Sequence, residues 1–272
     1  MAEAPSGIYL SQLHVYPIKS AGGIPLEASE VDGRGLRHDR RWMLVDEAGS
    51  FMSQRRFPRM ALIRIRIEPD HLVVDAPEMS SLEVPLQPPD RERRLAQVWG
   101  DLVEVLAVGD DADRWFGEFL GVRCKLVYLP DESIRPVDPA YGKTGDRVGL
   151  ADGFPFLLVS EASLADLNAR LERPVPMNRF RPNLVVRGCE PFAEDGWRLV
   201  RIGRITLRVV KPCARCTITT VDQATAATGK EPLRTLARFR RVGTKVLFGQ
   251  NLIHDDTGTL HTGDPVEVVQ AH

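Results

Sequence analysis

Cysteine is scarce in this chain, with 4 among 272 residues. So few cysteines exclude the disulfide-dense scaffold of small secreted domains, and we predict reduced thiols. No stretch approaches the roughly 20 apolar residues of a membrane-spanning helix. The first residues, MAEAPSGIYL, lack the cationic start and apolar core of a secretory signal. These absences together predict a cytoplasmic protein without a membrane partner.

An excess of charge of one sign is also missing. The 36 Lys and Arg nearly balance the 37 Asp and Glu, which leaves a net charge of −1. Such a balance provides no general affinity for polyanions, so we predict no nucleic-acid partner. Any anion-binding surface must therefore form locally, from basic residues that the fold brings together.

The sequence does contain a clear pattern of β-hairpins. Apolar and polar residues alternate through much of residues 7–110, with turn residues at Gly49, at Pro69-Asp70 and at Gly100-Asp101. The same alternation returns in the second half, in WRLVRIGRITLRVVKP and in the last strand, TGDPVEVVQ. Strands are therefore predicted to dominate the fold.

Helices are predicted at only a few places. The segment DADRWFGEFLG, residues 111–121, has apolar residues at helical spacing and a closing glycine. Ser160 is a suitable N-cap for a second helix, and residues 231–239 predict a third. Residues 131–150 are rich in Pro, Asp and Gly, which is typical of a long loop. We predict a mainly β (α+β) fold of two β-barrel-like units with a few short helices.

Two of the cysteines stand three residues apart, at Cys213 and Cys216, in KPCARCTITTVD. Three interpretations compete: half of a zinc site, a redox pair, or one thiolate ligand of a soft metal. A structural zinc site takes four ligands, whereas Cys124 and Cys189 are isolated beside apolar segments. Simple burial of two small residues is a further alternative.

The surroundings of the pair bear on these interpretations. A thioredoxin-type pair stands at the start of a helix, but residues 217–221 are β-branched and are predicted to be a strand or an extended loop. Lys211 and Arg215 are nearby cations, and cations favour a thiolate over a thiol.

Two basic stretches in the first half suit an anion. YPIKS places Lys19 and Ser20 before Ala-Gly-Gly, which offers a charge, a donor and close backbone approach to a phosphate. RHDRRWM contains Arg40 and Arg41, which alternation in a strand points to opposite sides, so one of them can line a given pocket. An exposed loop lysine and a solvated strand entrance are the alternatives.

A third basic stretch, NRFRPNLVV, lies in the second half. If it is a strand, Arg179, Arg181 and Asn183 share one face. Two guanidinium groups and an amide on one face can bind an anionic ligand rich in heteroatoms. The alternative is an edge strand whose arginines keep the protein soluble.

Taken in order along the chain, YPIKS, DRRWMLVD, SEASLADLN, FRPNLVVRG, CARCTITTVD, KEPL and FGQN resemble the MOSC-domain family. The resemblance is to the branch with an N-terminal β-barrel half, which contains the mitochondrial amidoxime-reducing component and its bacterial counterparts. It implies an N-terminal β-barrel-like domain over residues 1–125 and a MOSC domain over residues 126–272.

The resemblance also implies a molybdenum cofactor, molybdopterin with its metal, bound between the two halves. The metal ligand of the family pattern falls on Cys216, and a thiolate suits a soft metal. Asp222 is a catalytic candidate by position. The family pattern has small hydroxyl residues where this chain has Gly153 and Phe154, so backbone N–H groups would bind there. The residues that the resemblance places around the cofactor are Lys19, Ser20, Arg40, Asp152, Gly153, Phe154, Arg181, Asn183, Thr219 and Thr220.

The activity implied by the resemblance is reduction of N-hydroxylated and other N-oxygenated small molecules. The chain is expected to have neither a fused ferredoxin domain nor a membrane anchor, so a separate flavin- or iron–sulfur-containing reductase would supply the electrons. The alternative within the family is a molybdenum-cofactor carrier or sulfur-transfer protein without reductase activity. A structural zinc or thiol redox protein is the interpretation outside it.

Overall fold

The fold is built mostly from short strands, as the computed structural model of residues 7–89 and 92–272 describes it. The strands in chain order are β1 Tyr9–Val15, β2 Ile24–Leu26, β3 Ala28–Asp32, β4 Gly35–Leu36, β5 Trp42–Val45, β6 Arg64–Ile67, β7 His71–Asp75, β8 Leu82–Pro85, β9 Arg93–Val98, β10 Asp101–Ala107, β11 Lys125–Tyr128, β12 Phe156–Ser160, β13 Leu184–Arg187, β14 Trp197–Ile202, β15 Ile205–Ala214, β16 Arg241–Val242, β17 Lys245–His254, β18 Gly258–His261 and β19 Val266–Ala271. The helices are α1 Asp110–Leu120, α2 Glu161–Ala169 and α3 Leu233–Phe239, with 3₁₀ turns at Pro58–Leu62, Met177–Arg179, Ala193–Gly196 and Thr217–Thr220. The predicted mainly β fold with a few short helices is confirmed.

Two of the three hairpins predicted in the first half are present as paired strands, and the turn at Gly49 is closed only by the bridge between Val45 and Phe51. Strands β6 and β7 pair antiparallel around Pro69-Asp70, and β9 and β10 pair around Gly100. They belong to a three-stranded sheet, β6-β7-β8, and a four-stranded sheet, β5-β11-β10-β9. Helix α1 packs against β11 and β8 and buries Trp115, Phe116 and Phe119 in the core between them. Its apolar residues at helical spacing are the reason why it forms here.

The larger sheet crosses from one half of the chain to the other. Its nine strands include the path β19-β14-β15-β17-β12-β13-β1-β2, with β16 pairing to β17. The N-terminal strand β1 pairs antiparallel with β13, from Tyr9 opposite Arg187 to Leu13 opposite Leu184. Strand β3 likewise pairs with the late strand β18. Strands β1 and β3 of the N-terminal half are therefore hydrogen-bonded to strands of the C-terminal half, and the division predicted at residues 125 and 126 stays a prediction.

Helix α2 begins where the sequence predicted. The Ser160 hydroxyl accepts a hydrogen bond from the backbone N–H of Ser163 at 3.0 Å, which satisfies one of the free donors of the first turn. The buried carboxylate of Glu194 accepts from the Ser160 N–H and the Ser163 hydroxyl. The start of this helix is thus fixed next to strand β12.

Two local predictions were wrong. Residues 179–183 are not a strand: Arg179 ends a 3₁₀ turn, Arg181 has a left-handed backbone with φ of +55°, and β13 begins only at Leu184. The two arginines therefore do not share a strand face. Residues 217–220 are not extended either, because they form a 3₁₀ turn.

None of the helices within residues 7–89 and 92–272 has the length and hydropathy needed to span a bilayer.

Candidate functional site

A cleft opens between the segments that follow β1 and β5 on one side and those around β12, β13 and β15 on the other. Its volume is about 140 Å³, and it is open to solvent. Its walls bring together most of the residues predicted from the sequence, namely Lys19, Ser20, Arg40, Asp152, Gly153, Phe154, Arg181, Asn183, Cys216 and Thr219.

Two predicted residues are not among those that line the cleft. Thr220 is buried, and its hydroxyl donates to the Thr217 carbonyl at 2.7 Å. The Asp222 carboxylate accepts from Arg179 at 3.0 Å and from the backbone N–H groups of Ala224 and Thr225. Both residues shape the turn after Cys216, and the roles predicted for them stay predictions.

Two guanidinium groups stack on the same tyrosine at the base of the cleft. The Arg40 and Arg181 guanidinium carbons lie 4.2 and 4.3 Å from the centre of the Tyr16 ring. Burial raises the pKa of Tyr16 to about 12, although both arginines oppose the rise, so the phenol is neutral. Its hydroxyl donates to the Pro182 carbonyl at 3.1 Å. Cation–π contact holds both arginines in place without neutralising their charge.

Arg40 is held further by buried polar groups. It donates to Asp39 at 2.6 Å and to the Asn183 side-chain oxygen at 3.0 Å. The Asn183 side chain also donates to the His14 carbonyl at 3.2 Å, so it joins β1 to the start of β13. Arg40 lines the cleft, whereas Arg41 donates to the Leu129 carbonyl at 2.7 Å. Both arginines precede β5, which begins at Trp42, so strand alternation does not set their directions.

Several cleft residues have a backbone conformation that L-amino acids rarely adopt. The φ angles of Ser20, Arg40 and Arg181 are +68°, +46° and +55°. Such a conformation costs on the order of 1–3 kcal/mol per residue and concentrates at functional sites. At Gly153, by contrast, an added Cβ would meet nothing within 4 Å, so its backbone is open to the cleft. The backbone is thus shaped to present these groups to a ligand.

Lys19 and Asp152 form an ion pair across the cleft, with 2.6 Å between the ammonium nitrogen and the nearer carboxylate oxygen. Burial lowers the pKa of Lys19, and the attraction of Asp152 offsets part of this effect. Burial alone would raise the pKa of Asp152, but Lys19, the Trp99 indole N–H and Arg55 hold it well below its usual range. The carboxylate therefore stays charged and keeps Lys19 oriented.

This pair predicts a pH-dependent effect of Asp152→Asn on stability. The pKa of the folded carboxyl lies below its ordinary value of 3.8, so the stabilisation is complete above pH 3.8 and is lost as the pH falls through the lowered pKa. The free energy of unfolding of the wild type is expected to exceed that of Asp152→Asn by the same amount at pH 7 and pH 5, and by a smaller amount below pH 3.8. Because the Asp152 side chain is 62% exposed, solvent screening keeps the difference small. Urea unfolding at each pH measures it, and a difference that grows from pH 7 to pH 5 would contradict it.

The two neighbouring cysteines both line the cleft but have different partners. The Cys216 sulfur lies 3.7 Å from a guanidinium nitrogen of Arg55, which comes from the N-terminal half. The Cys213 sulfur lies 3.0 Å from a guanidinium nitrogen of Arg215. Both thiols are half-buried. Each cysteine thus faces a cation, and Cys216 alone faces one from across the cleft.

Arg55 is the residue that the sequence analysis missed. It lies in SQRRFPR, and its guanidinium carbon is also 4.5 Å from the centre of the Trp99 ring and 5.7 Å from that of Phe51. Its separation from Cys216 is 161 residues, so no local pattern relates the two. The doubled arginine was the available signal, but it equally suits an exposed turn.

The charges of the cleft suit an anionic ligand. Among the lining residues, five are cationic (Lys19, Arg40, Arg55, Arg181 and Arg215) and one, Asp152, is a carboxylate, while Asp39, which does not line the cleft, pairs with Arg40. Burial, partly offset by Tyr16, lowers the pKa of Arg181 to about 10, so it is charged at neutral pH. In the described part of the chain, Arg181 has no carboxylate at ion-pair distance. A buried cation without a counter-ion is costly, and a bound anion such as a phosphate would remove that cost.

Within the described ranges, no three His, Cys, Asp or Glu side chains are grouped as ligands of a metal ion. The four-ligand zinc site considered from the sequence therefore has no matching cluster among these residues.

Comparison with known proteins places this chain in a family. The model of the MOSC N-terminal beta barrel domain matches residues 7–123, and the model of the MOSC domain matches residues 145–267. Mitochondrial amidoxime-reducing component 1 is 38% identical in Mus musculus and 36% identical in Homo sapiens, over 94% of this chain and 81% and 82% of those proteins. Human mitochondrial amidoxime reducing component 2 is 34% identical over 94% of this chain and 82% of its own. The two domain matches, together with 34–38% identity over 94% of the chain, show the family. The chain belongs to the MOSC-domain family of the mitochondrial amidoxime-reducing components.

Proposed function

We propose that this protein is a molybdenum-cofactor-dependent oxidoreductase that reduces N-hydroxylated and other N-oxygenated compounds. The relatives' name, amidoxime-reducing component, supports the reaction class. The observation that carries the proposal is the position of the Cys216 thiol in a cleft with a strong excess of cations. One thiolate beside cationic side chains suits a soft metal that belongs to an organic cofactor with an anionic end.

The residues at the base of the cleft fit the anionic part of such a cofactor. Lys19, Arg40 and Arg181 provide the charge, and the Ser20 hydroxyl provides a further donor. Arg181 uses one guanidinium nitrogen for the Ala21 carbonyl at 2.6 Å, which leaves other N–H groups for a ligand. The open backbone at Gly153 and the neighbouring Phe154 would form the side wall. These groups would bind and orient the cofactor, and Asp152 would act by holding Lys19.

Cys216 would be the protein ligand of the metal. The Arg55 guanidinium, 3.7 Å from the Cys216 sulfur, would be a positive partner for the thiolate that binds the metal. The turn at Thr217–Thr220 fixes the position of the thiol, since the Thr219 hydroxyl donates to the Cys216 carbonyl at 3.0 Å. When bound, the cofactor supplies the two-electron chemistry that removes oxygen from nitrogen.

The remaining parts of the proposal concern the wider system. We propose a separate flavin- or iron–sulfur-containing reductase as the electron donor, a cytoplasmic location, and a division into an N-terminal domain over residues 1–125 and a MOSC domain over residues 126–272. Asp222 stays a catalytic candidate by position, although its carboxylate is engaged by Arg179.

The test combines metal analysis with turnover. Protein purified from a host that makes the molybdenum cofactor is expected to contain stoichiometric molybdenum and to reduce benzamidoxime to benzamidine with a chemical electron donor. Protein from a host that cannot make the cofactor provides the matched control and is expected to be inactive. Molybdenum-loaded protein that shows no turnover would overturn the reductase and favour the carrier. A protein without molybdenum from the competent host, purified with its fold intact, would reject both.

A further inference from the structure

A second cavity adjoins the cofactor cleft on the side of β15. Its volume is about 540 Å³, it is also open to solvent, and it has both aromatic and charged walls. It shares several wall residues with the cleft, namely Asp152, Gly153, Phe154, Cys213, Ala214 and Asn251. A molecule in this cavity, here called the side chamber, would therefore lie directly beside the group held in the cleft.

Lys211 is the distinctive residue of the side chamber wall. It is half-buried, and its ammonium nitrogen lies 4.1 Å from the centre of the Tyr141 ring and 5.7 Å from that of Phe154. Its backbone is fixed in β15, where its carbonyl accepts from the Asn251 side chain at 3.1 Å. The two rings support the cation by cation–π contact, and the lysine itself lines the chamber.

The other charged residues of the chamber are already accounted for. Asp101 pairs with Arg135 at 2.8 Å, and Asp152 pairs with Lys19. Asp138 is exposed and accepts from the backbone N–H of Ala140, so water screens its charge. Among the residues that the structure describes, Lys211 has no carboxylate at ion-pair distance. It is the chamber's uncompensated cation.

We infer that Lys211 determines substrate specificity by binding a carboxylate on the N-oxygenated substrate, with the Trp99 and Phe154 rings as apolar walls of the chamber. This inference depends on the proposed function. One half-buried ammonium matches one carboxylate in charge, and a hydrogen bond between two ionised groups is stronger than one between neutral groups. The chamber's position beside Cys213 and Phe154 places the rest of such a substrate towards the cleft.

The test compares two substrates that differ only in charge. For Lys211→Met, the ratio of KM for 4-carboxybenzamidoxime to KM for benzamidoxime is expected to rise about 10-fold, the effect of losing one charge-assisted hydrogen bond. Lys143→Met is the matched control, because Lys143 is an exposed lysine that pairs with Asp255 outside the chamber. An unchanged ratio in Lys211→Met would overturn the inference, as would an equal rise in Lys143→Met.

A binding measurement separates this inference from the proposed function. The unreactive product 4-carboxybenzamidine is expected to change the fluorescence of Trp99, which is 48% exposed while Trp42, Trp115 and Trp197 are buried. The dissociation constant is expected to be about 10-fold weaker in Lys211→Met. If neither amidoxime is reduced by loaded wild type but this difference in binding is present, the proposed function fails and takes the role in substrate specificity with it, while the binding of a carboxylate by Lys211 stands. Equal binding by both proteins overturns the lysine's role alone.

Discussion

Replacing Cys216 by serine is expected to remove molybdenum from the purified protein and to lower kcat by more than about 100-fold. Loss of a residue that merely supports a metal ligand costs about 10- to 100-fold in affinity or activity, so loss of the ligand itself costs more. A hydroxyl does not replace a thiolate at a soft metal. Metal analysis and the rate of benzamidoxime reduction measure the two effects.

Cys213→Ser is the matched control, since it makes the same chemical change three residues earlier in the same cleft wall. Cys213 lies against Arg215 rather than against the cation from the opposite wall, so its serine variant is expected to keep both metal and turnover. If the two variants behave in the opposite way, Cys213 is the ligand and the proposed site is wrong. If both keep the metal, neither thiol binds it.

Replacing Arg181 by methionine is expected to weaken cofactor binding by about 10- to 100-fold, the value of one hydrogen bond between charged groups. Its guanidinium lines the cleft, stacks on Tyr16 and has no carboxylate partner in the described part of the chain. The rise in Tm that the cofactor gives the wild type is therefore expected to shrink in the variant. Differential scanning calorimetry of loaded and cofactor-free protein measures this rise.

The Tm of the cofactor-free form separates a binding role of Arg181 from a structural one. Burying the Arg181 cation costs free energy, so its removal costs the cofactor-free protein little stability. Relative to the wild type in the same form, the Tm of the cofactor-free variant is expected to fall much less than the Tm of the loaded variant. Arg56→Met is the control, because Arg56 is exposed and does not line the cleft. Equal losses of Tm in the loaded and cofactor-free forms of Arg181→Met would show that the arginine is only structural.

Local patterns were enough to predict the hairpins and helix α1. In β6, β7, β9 and β10 the alternation of burial and the turn residues come from neighbouring residues, so the sequence contains the needed information. In the same way, the spacing of Trp115, Phe116 and Phe119 predicts a helix with one buried face.

The turn after Cys216 shows why propensity failed there. The run of threonines and isoleucine favours a strand. The Thr219 and Thr220 hydroxyls instead donate to backbone carbonyls three residues earlier, which stabilises a tight 3₁₀ turn. Side-chain bonding to the backbone therefore overrode the preference of β-branched residues.

The site itself was predictable only in part. The resemblance indicated which residues belong together, but the chain separates Arg55 from Cys216 by 161 residues and Lys19 from Asp152 by 133. The left-handed backbone of Arg181 also precedes a proline, where an extended backbone is the usual expectation. Its conformation is imposed by contacts with Tyr16 and Ala21 that no local pattern contains.

The pairing of β1 with β13 has a consequence for how ligands enter. Lys19 follows β1 by four residues and Arg181 precedes β13 by three, so the two cations lie in segments that flank two paired strands of one continuous sheet. Two rigid bodies joined by a hinge could close around a ligand, but neighbouring strands cannot swing apart without breaking their ladder. We therefore expect the binding groups of the cleft to be in position before a ligand binds, which lowers the cost of binding. Removal of the chain up to residue 20 would take Lys19 and Ser20 out of the cleft.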